Sequence, residues 1–407
     1  MEINRRDQIS EDWFTLCSLL RQALQPEGIG ASTVVRQLTQ CQWESVVEKA
    51  KKHSVLPLLY EQLKEEKTLP PVLFRNVQNI SRRTVQQSYK LLYRTNYIVK
   101  LLERNSITVV VLKGVATAEL YPYPELRKSG DIDLLLPKRE ELVRACYLLE
   151  TQGFLLKEKQ NTNHHVVYES KEGIAIELHT MLAEPFDHPR VNRYLKQLIP
   201  EYGTYKEERN ILGSRLPVPQ TAYHAYYLLI HMLQHFMASG FGLKLLCDWV
   251  VFWNRETSKE EQERFLKLVN ESGVRLFAEC ITTIGTSYLG LEEARVRFLR
   301  SETISEEDRK KMFLEILASE EFGKSDSNRL VILRGTALMD YLRELHYQMH
   351  LNYPRCGKYI LLWPVLWSCT LGKFLHNNRV VRRTTLSSIL KKTHARSKQM
   401  WYTKYLI

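Results

Sequence analysis

Asp131 and Asp133 stand one residue apart inside the apolar stretch DIDLLLP. In an extended strand, side chains two positions apart share a face. The two carboxylates therefore project together, while Ile132 and Leu134 point the other way. Two like charges about 4 Å apart repel by ~1 kcal/mol in water and about four times that near a protein surface. The pair is a place for a cation. Magnesium suits it, being a hard ion that takes oxygen ligands and often bridges substrate phosphates. A third carboxylate, Glu177, sits in IAIELHT between Ile176 and Leu178, with His179 on its own face. Three carboxylates on neighbouring strands could hold two ions for phosphoryl or nucleotidyl transfer. The plain alternative for any one strand-end acid is a helix cap or a solvated edge. The pattern of strand with two acids, helix, then strand with a third favours the metal.

These acids need strands, and the sequence supplies them in one block. ITVVVLKG is short and β-branched, as a buried strand is, and DIDLLLP is a second. REELVRACYLLETQG reads as a helix closed by Gly153. FLLKEK, HHVVYES and IAIELHT follow as strands, with KEG as a hairpin turn between the last two. Residues 106–185 thus form a small α+β unit with a mostly β core. Residues 1–105 read as helical, and the stretch from Pro71 to about Asn105 as one long helix or two stacked ones. From residue 186 to 353 the chain reads as helical again, and residues 354–407 as a Trp-rich and basic tail. No internal repeat is found.

Composition excludes several classes. The 407 residues carry an ordinary apolar share and little Pro or Gly, which sets aside disordered and fibrous chains. Seven cysteines without a CxxC pair suggest neither a zinc site nor a disulfide framework and fit a reducing compartment. The N-terminus lacks a signal-peptide core. The longest uncharged run, between Arg215 and Lys244, contains His224, His231 and His235 and opens with Pro217 and Pro219, which marks it as a buried or cleft-lining helix rather than a membrane span. A cytoplasmic protein is expected, with the tail as a membrane-peripheral extension. Of the net charge of +12, eleven Lys/Arg without any Asp/Glu lie between Pro354 and Ile407, so the rest of the chain is near neutral. That tail, with Trp363 and Trp367, could meet an anionic membrane surface, a nucleic acid or an acidic polymer, or be a solvated helix packed through its tryptophans. No strong nucleic-acid signal accompanies it.

The segments LKG, LYP, RKSGDIDLL and IELH resemble the polymerase-β-like nucleotidyltransferase superfamily, and more narrowly a bacterial branch carrying LKG, LYP, R-x-x-GDIDLL and E/D-L-H. The resemblance covers Ile107 to Leu182. It implies a mixed-sheet nucleotidyltransferase core between helical regions. It implies that Asp131 and Asp133 ligate two magnesium ions, or manganese in their place, and that Glu177 completes the second site and orients the acceptor. Gly114 would let backbone N–H groups approach the phosphates of an NTP, ATP first among them. Lys113 or Arg127 would neutralise phosphate charge, and Gly130 and His179 would border the nucleotide. The chain departs from the superfamily in having Gly114-Val115 where Gly-Gly or Gly-Ser is usual, and a longer gap to Asp131.

Other histidines offer weaker patterns. His164, His165, His179 and His188 match no standard zinc spacing. His231 and His235 have zincin spacing, but Met232 stands where the catalytic glutamate would be. His224, His231 and His235 fall on roughly one helical face and are candidates for closing the cleft, with packed core histidines as the alternative. Lys244 and Asp248 in GFGLKLLCDWV could shape the same cleft. The expected function is transfer of an NMP to a hydroxyl or phosphate of an acceptor such as a sugar phosphate, modified peptide, protein or RNA, with release of pyrophosphate. A decayed scaffold acting through the basic tail and a toxin-like enzyme acting on a cellular target are the alternatives.

Overall fold

The computed structural model describes residues 9–25, 38–158, 165–186, 189–238, 240–299, 304–321, 338–353 and 356–376. The chain begins with helices α1 (Glu11–Ala23), α2 (Gln40–Lys52), the single turn α3 (Tyr60–Leu63) and α4 (Pro71–Arg104). Thr39 and Gln42 close a reciprocal capping box at the start of α2. Pro71 opens α4 at the one helical position where a missing N–H costs nothing. The stretch from Pro71 is a single helix of 34 residues.

The α+β unit follows, with β1 (Val110–Val111), α5 (Val115–Ala118), β2 (Asp131–Leu135), α6 (Leu142–Thr151), β3 (Leu155–Glu158), β4 (His165–Glu169) and β5 (Ala175–His179). Its five strands lie in the order β1-β2-β5-β4-β3. β2 and β5 run parallel at the centre, and the remaining neighbours are antiparallel. The central pair buries Ile132, Leu134, Ile176 and Leu178 on one face; the other carries Asp131, Asp133, Glu177 and His179, with Leu135 buried at the far end of β2. The fold is α+β, as expected.

After this unit come α7 (Pro189–Thr204), β6 (Lys206–Ile211), β7 (Ser214–Pro219), α8 (Thr221–Ala238), α9 (Leu243–Trp253), α10 (Lys259–Ser272), α11 (Arg275–Leu289), α12 (Glu306–Ala318), α13 (Leu338–Asn352) and α14 (Trp363–His376). The expectation of an all-helical stretch here is corrected by the β6–β7 hairpin. Its turn places Leu212 at φ 46° and Gly213 at φ 84°, the pair of positive values that a type I′ hairpin turn requires. Ile211, Leu216 and Val218 join the core under the five-stranded sheet, so that core extends past residue 185.

Among the described residues, two apolar cores organise the molecule. One gathers α1, α2 and α7 through α12, so helices before and after the sheet pack together. The other lies under the sheet. α4 joins both, with Val77 in the first and Leu91, Ile98 and Leu102 in the second. No helix among the described residues is long and apolar enough to cross a membrane. In the tail, Trp363 and Trp367 pack against His346 within the α13–α14 hairpin, and the Trp367 indole donates to His346 Nδ1 at 3.3 Å. Ile360, Leu361 and Val365 are exposed beside them. Most of the basic run lies outside the described residues.

Candidate active site

The parallel register sets Asp133 opposite Glu177 and Leu135 opposite His179. Alternation then carries Asp131, Asp133, Glu177 and His179 to the sheet face away from the core. They open into a cleft of about 510 Å³ that Lys113, Gly114, Arg127 and Gly130 also line. α8 forms a further wall with Tyr227, His231, Gln234 and His235, and Lys244 of α9 lines it as well. Nearly every residue marked in the sequence therefore meets in one place.

Asp133 is 1% exposed. Its Oδ1 lies 3.0 Å from His179 Nε2 and 3.3 Å from Lys113 Nζ. Its Oδ2 is buried without a hydrogen-bond partner. A buried carboxylate oxygen left unpaired is costly unless something outside the chain completes it. His179 also reaches Glu177 Oε2 at 3.3 Å, and Lys113 reaches Asp131 Oδ2 at 3.7 Å. Ligand atoms of Asp133, Glu177 and His179 lie within 4.8 Å of one another, close enough to share an ion. Asp131 stands beside this trio and is tied to Asp133 through Lys113.

Two protein cations thus occupy the ground between the acids. Burial opposes the charge on Lys113, but Asp133, Asp131 and Glu177 outweigh it and raise its pKa. Burial likewise opposes the His179 imidazolium, yet hydrogen bonds to Asp133 and Glu177 lift its pKa to about 9. The hydrogen bond from His179 holds the Glu177 carboxyl below its ordinary value. On the facing helix, burial keeps His231 and His235 neutral, with Lys113 adding to the effect; His235 falls to about 4. They present hydrogen-bonding groups to the cleft and no charge. His224 departs from this pattern. It is absent from the cleft lining, buried two turns earlier on α8, and edge-on to Phe252 at 5.5 Å. His165 lies beside His179 with ring centres 5.5 Å apart, and His164 and His188 fall outside the described residues.

Lys113 faces Asp131 and Asp133 directly. Gly114 follows it at φ +68°, and a Cβ there would come within 3.3 Å of the Asp131 carbonyl oxygen. Glycine is what lets the chain turn into α5 so close to β2. A Cβ on Gly130 would meet open space, which leaves the cleft mouth unobstructed there.

Arg127 differs from expectation. Its guanidinium, 4% exposed, grips Asp248 with Nε to Oδ1 and Nη2 to Oδ2, both at 2.7 Å. Nη1 donates to Ser129 Oγ at 2.6 Å. The bidentate partner of Arg127 is thus a carboxylate, not a phosphate. Tyr121 of the LYP segment donates to the same Asp248 at 2.6 Å. Burial works against the Arg127 charge and Asp248 more than restores it. This pair pins the loop from Tyr121 to Gly130 against α9. The sequence had pointed to Asp248 only as shaping the cleft, and Tyr121 carried no signal beyond its place in LYP.

Acids on one sheet face and a helical wall across a cleft make up the candidate active site. Residues 39–290 match the family model described as uncharacterised nucleotidyltransferase. The chain belongs to that family, and the match reaches well beyond the sheet into the helices on both sides. A search of curated proteins gave no match. Among solved structures, the chain is similar to an antigenic nucleotidyltransferase-like protein from Paracoccidioides brasiliensis, with 17% identity, 51% of this chain and 96% of that chain covered, and a TM-score of 0.30.

Proposed function

We propose that the chain is a magnesium-dependent nucleotidyltransferase that moves a nucleoside monophosphate from a nucleoside triphosphate, ATP first among them, to a hydroxyl or phosphate of an acceptor, releasing pyrophosphate. One observation carries this reading. Asp131, Asp133 and Glu177 share one open sheet face, and Asp133 keeps a buried oxygen that no group of the chain satisfies. Oxygen donors in that number suit a hard divalent ion.

Asp131 and Asp133 would hold the ions, with Glu177 completing the second position. Bound there, divalent ions neutralise the triphosphate and favour the attacking oxygen. Lys113 balances the carboxylates and stands ready to meet phosphate charge once they are otherwise paired. Gly114 leaves the backbone bare where a phosphate would approach. His179 orients Glu177, and so the acceptor, through its hydrogen bond. Neutral His231, His235 and Gln234 face this arrangement from α8 and help exclude water. A scaffold reading would need the acids to have lost their use, which the intact set speaks against.

His179 gives the reading a pH signature. Its folded pKa is raised, so its contribution to stability is complete below the ordinary 6.5 and is lost as pH rises through about 9. A divalent ion at Asp133 and Glu177 competes with that imidazolium. Binding of magnesium with ATP should therefore release close to one proton near neutral pH and strengthen by up to about tenfold per unit as pH rises toward 9. Calorimetry in buffers of different ionisation heat reads this directly. A protein that binds no ATP with magnesium is the scaffold; pH-independent binding would remove His179 from the site.

A further inference from the structure

A second group of cations lines the same cleft, on elements other than the sheet. Lys244 Nζ lies 2.9 Å from Glu321 Oε1, and Lys128 Nζ lies 3.0 Å from Glu321 Oε2. The Ser54 hydroxyl donates to that Oε2 and accepts from Lys128 at 2.8 Å. Lys128, Lys244 and Glu321 all border the cleft that holds Asp131 and Asp133. One carboxylate therefore receives two ammonium groups and a hydroxyl. That donor set, compact point charges plus a hydroxyl, equally suits phosphate oxygens.

The surroundings are built to hold these donors in place. His53 accepts from the Leu243 N–H at 3.0 Å on one ring nitrogen and meets the Leu317 carbonyl at 3.1 Å with the other. It thereby clamps the end of α2, the start of α9 and the end of α12, each within a few residues of Ser54, Lys244 or Glu321. A Cβ on Gly242 would sit 2.2 Å from the Glu320 carbonyl oxygen, so the segments meet more closely than any other residue would permit. Ser54 itself adopts φ 57°, a conformation that non-glycine residues keep only where the surroundings impose it. The Lys244 side chain is 12% exposed, and burial lowers its pKa even against Glu321. A cation so desolvated requires an anion beside it.

We propose that Lys128, Lys244 and Ser54 form a phosphate subsite of the cleft, and that Glu321 fills it as an exchangeable internal anion until a substrate phosphate takes its place. The subsite rests on the nucleotidyltransferase reading only for the origin of that phosphate, which is either the nucleotide or a phosphorylated acceptor. The alternative is a fixed ion pair that merely anchors the end of α12.

Inorganic tripolyphosphate without metal separates the two. Glu321→Gln keeps the contact with Ser54 and removes the competing charge. It should bind tripolyphosphate about tenfold more tightly than wild type by calorimetry, and its melting temperature should respond more to the anion. Lys244→Met should lose about tenfold. Lys128, nearly half exposed, folds safely as Lys128→Met and should lose a few-fold. The same tightening should appear in Asp133→Asn/Glu321→Gln relative to Asp133→Asn, which keeps this result separate from any failure of nucleotidyl transfer. A gain that extends to ATP with magnesium assigns the subsite to the nucleotide. A gain on tripolyphosphate that extends to glucose 1-phosphate, added with a non-hydrolysable ATP analogue, but not to ATP with magnesium assigns it to the acceptor. Glu321→Gln binding no more tightly than wild type, or the lysine variants binding as well as wild type, overturns the proposal.

Discussion

Asp133→Asn should reduce nucleotidyl transfer on the order of 10³-fold or more while leaving the fold intact. Asp133 is the acid at the centre of the arrangement. It receives His179 and Lys113 on one oxygen and keeps the other buried and unpaired. Asparagine preserves shape and some hydrogen bonding but removes the charge that attracts a divalent ion. Stability should change little, because Lys113 retains Asp131 and His179 retains Glu177 as partners. A neutral side chain also lowers the cost of burying the carboxylate oxygen that has no hydrogen-bond partner. Loss of transfer with an unshifted denaturation midpoint supports a site held by function. Loss of both would mean that Asp133 serves the fold.

The largest effect on stability is expected at Asp248. Asp248→Ala should lower unfolding free energy by about 3–5 kcal/mol, because it strands a buried guanidinium and a buried phenol. Arg127 and Asp248 are 4% and 1% exposed, far from the surface regime in which ion pairs contribute little. The double change Arg127→Met with Asp248→Leu should recover most of the loss, since it removes both charges and keeps volume. It should still impair activity, because the loop carrying Lys128, Ser129 and Gly130 to the cleft would lose its anchor on α9. Urea denaturation of the three variants checks this. A loss of under about 1 kcal/mol in the single variant would show that the pair is weakly coupled to the fold.

What could be read from the sequence follows from how local each signal is. Asp131, Asp133 and Glu177 announce themselves because strand alternation is a two-residue rule, and the apolar partners Ile132 and Leu178 fix which face is free. The long helix α4 and the strands of the sheet have similarly local patterns. The β6–β7 hairpin was hidden for a physical reason. Its first strand, KEERNI, is almost wholly polar; its second carries Pro217 and Pro219, which central strands exclude. Its turn is Leu212-Gly213 instead of the usual Asn-Gly. Both prolines are tolerated because the ribbon has only two strands. In the sequence Arg127 looks like a phosphate ligand because its partner Asp248 lies 121 residues away. No local pattern links Arg127 to Asp248, or Lys128 to Glu321. Those pairings are made by helix packing, which depends on both cores at once.

The most direct measurement of the central claim is label transfer. The protein is incubated with each α-labelled nucleoside triphosphate, magnesium and a cell extract, alongside Asp131→Ala/Asp133→Ala. The wild type should give a labelled acceptor and released pyrophosphate, and neither should appear with the double variant or without divalent metal. A double variant that transfers label as well as the wild type would contradict it.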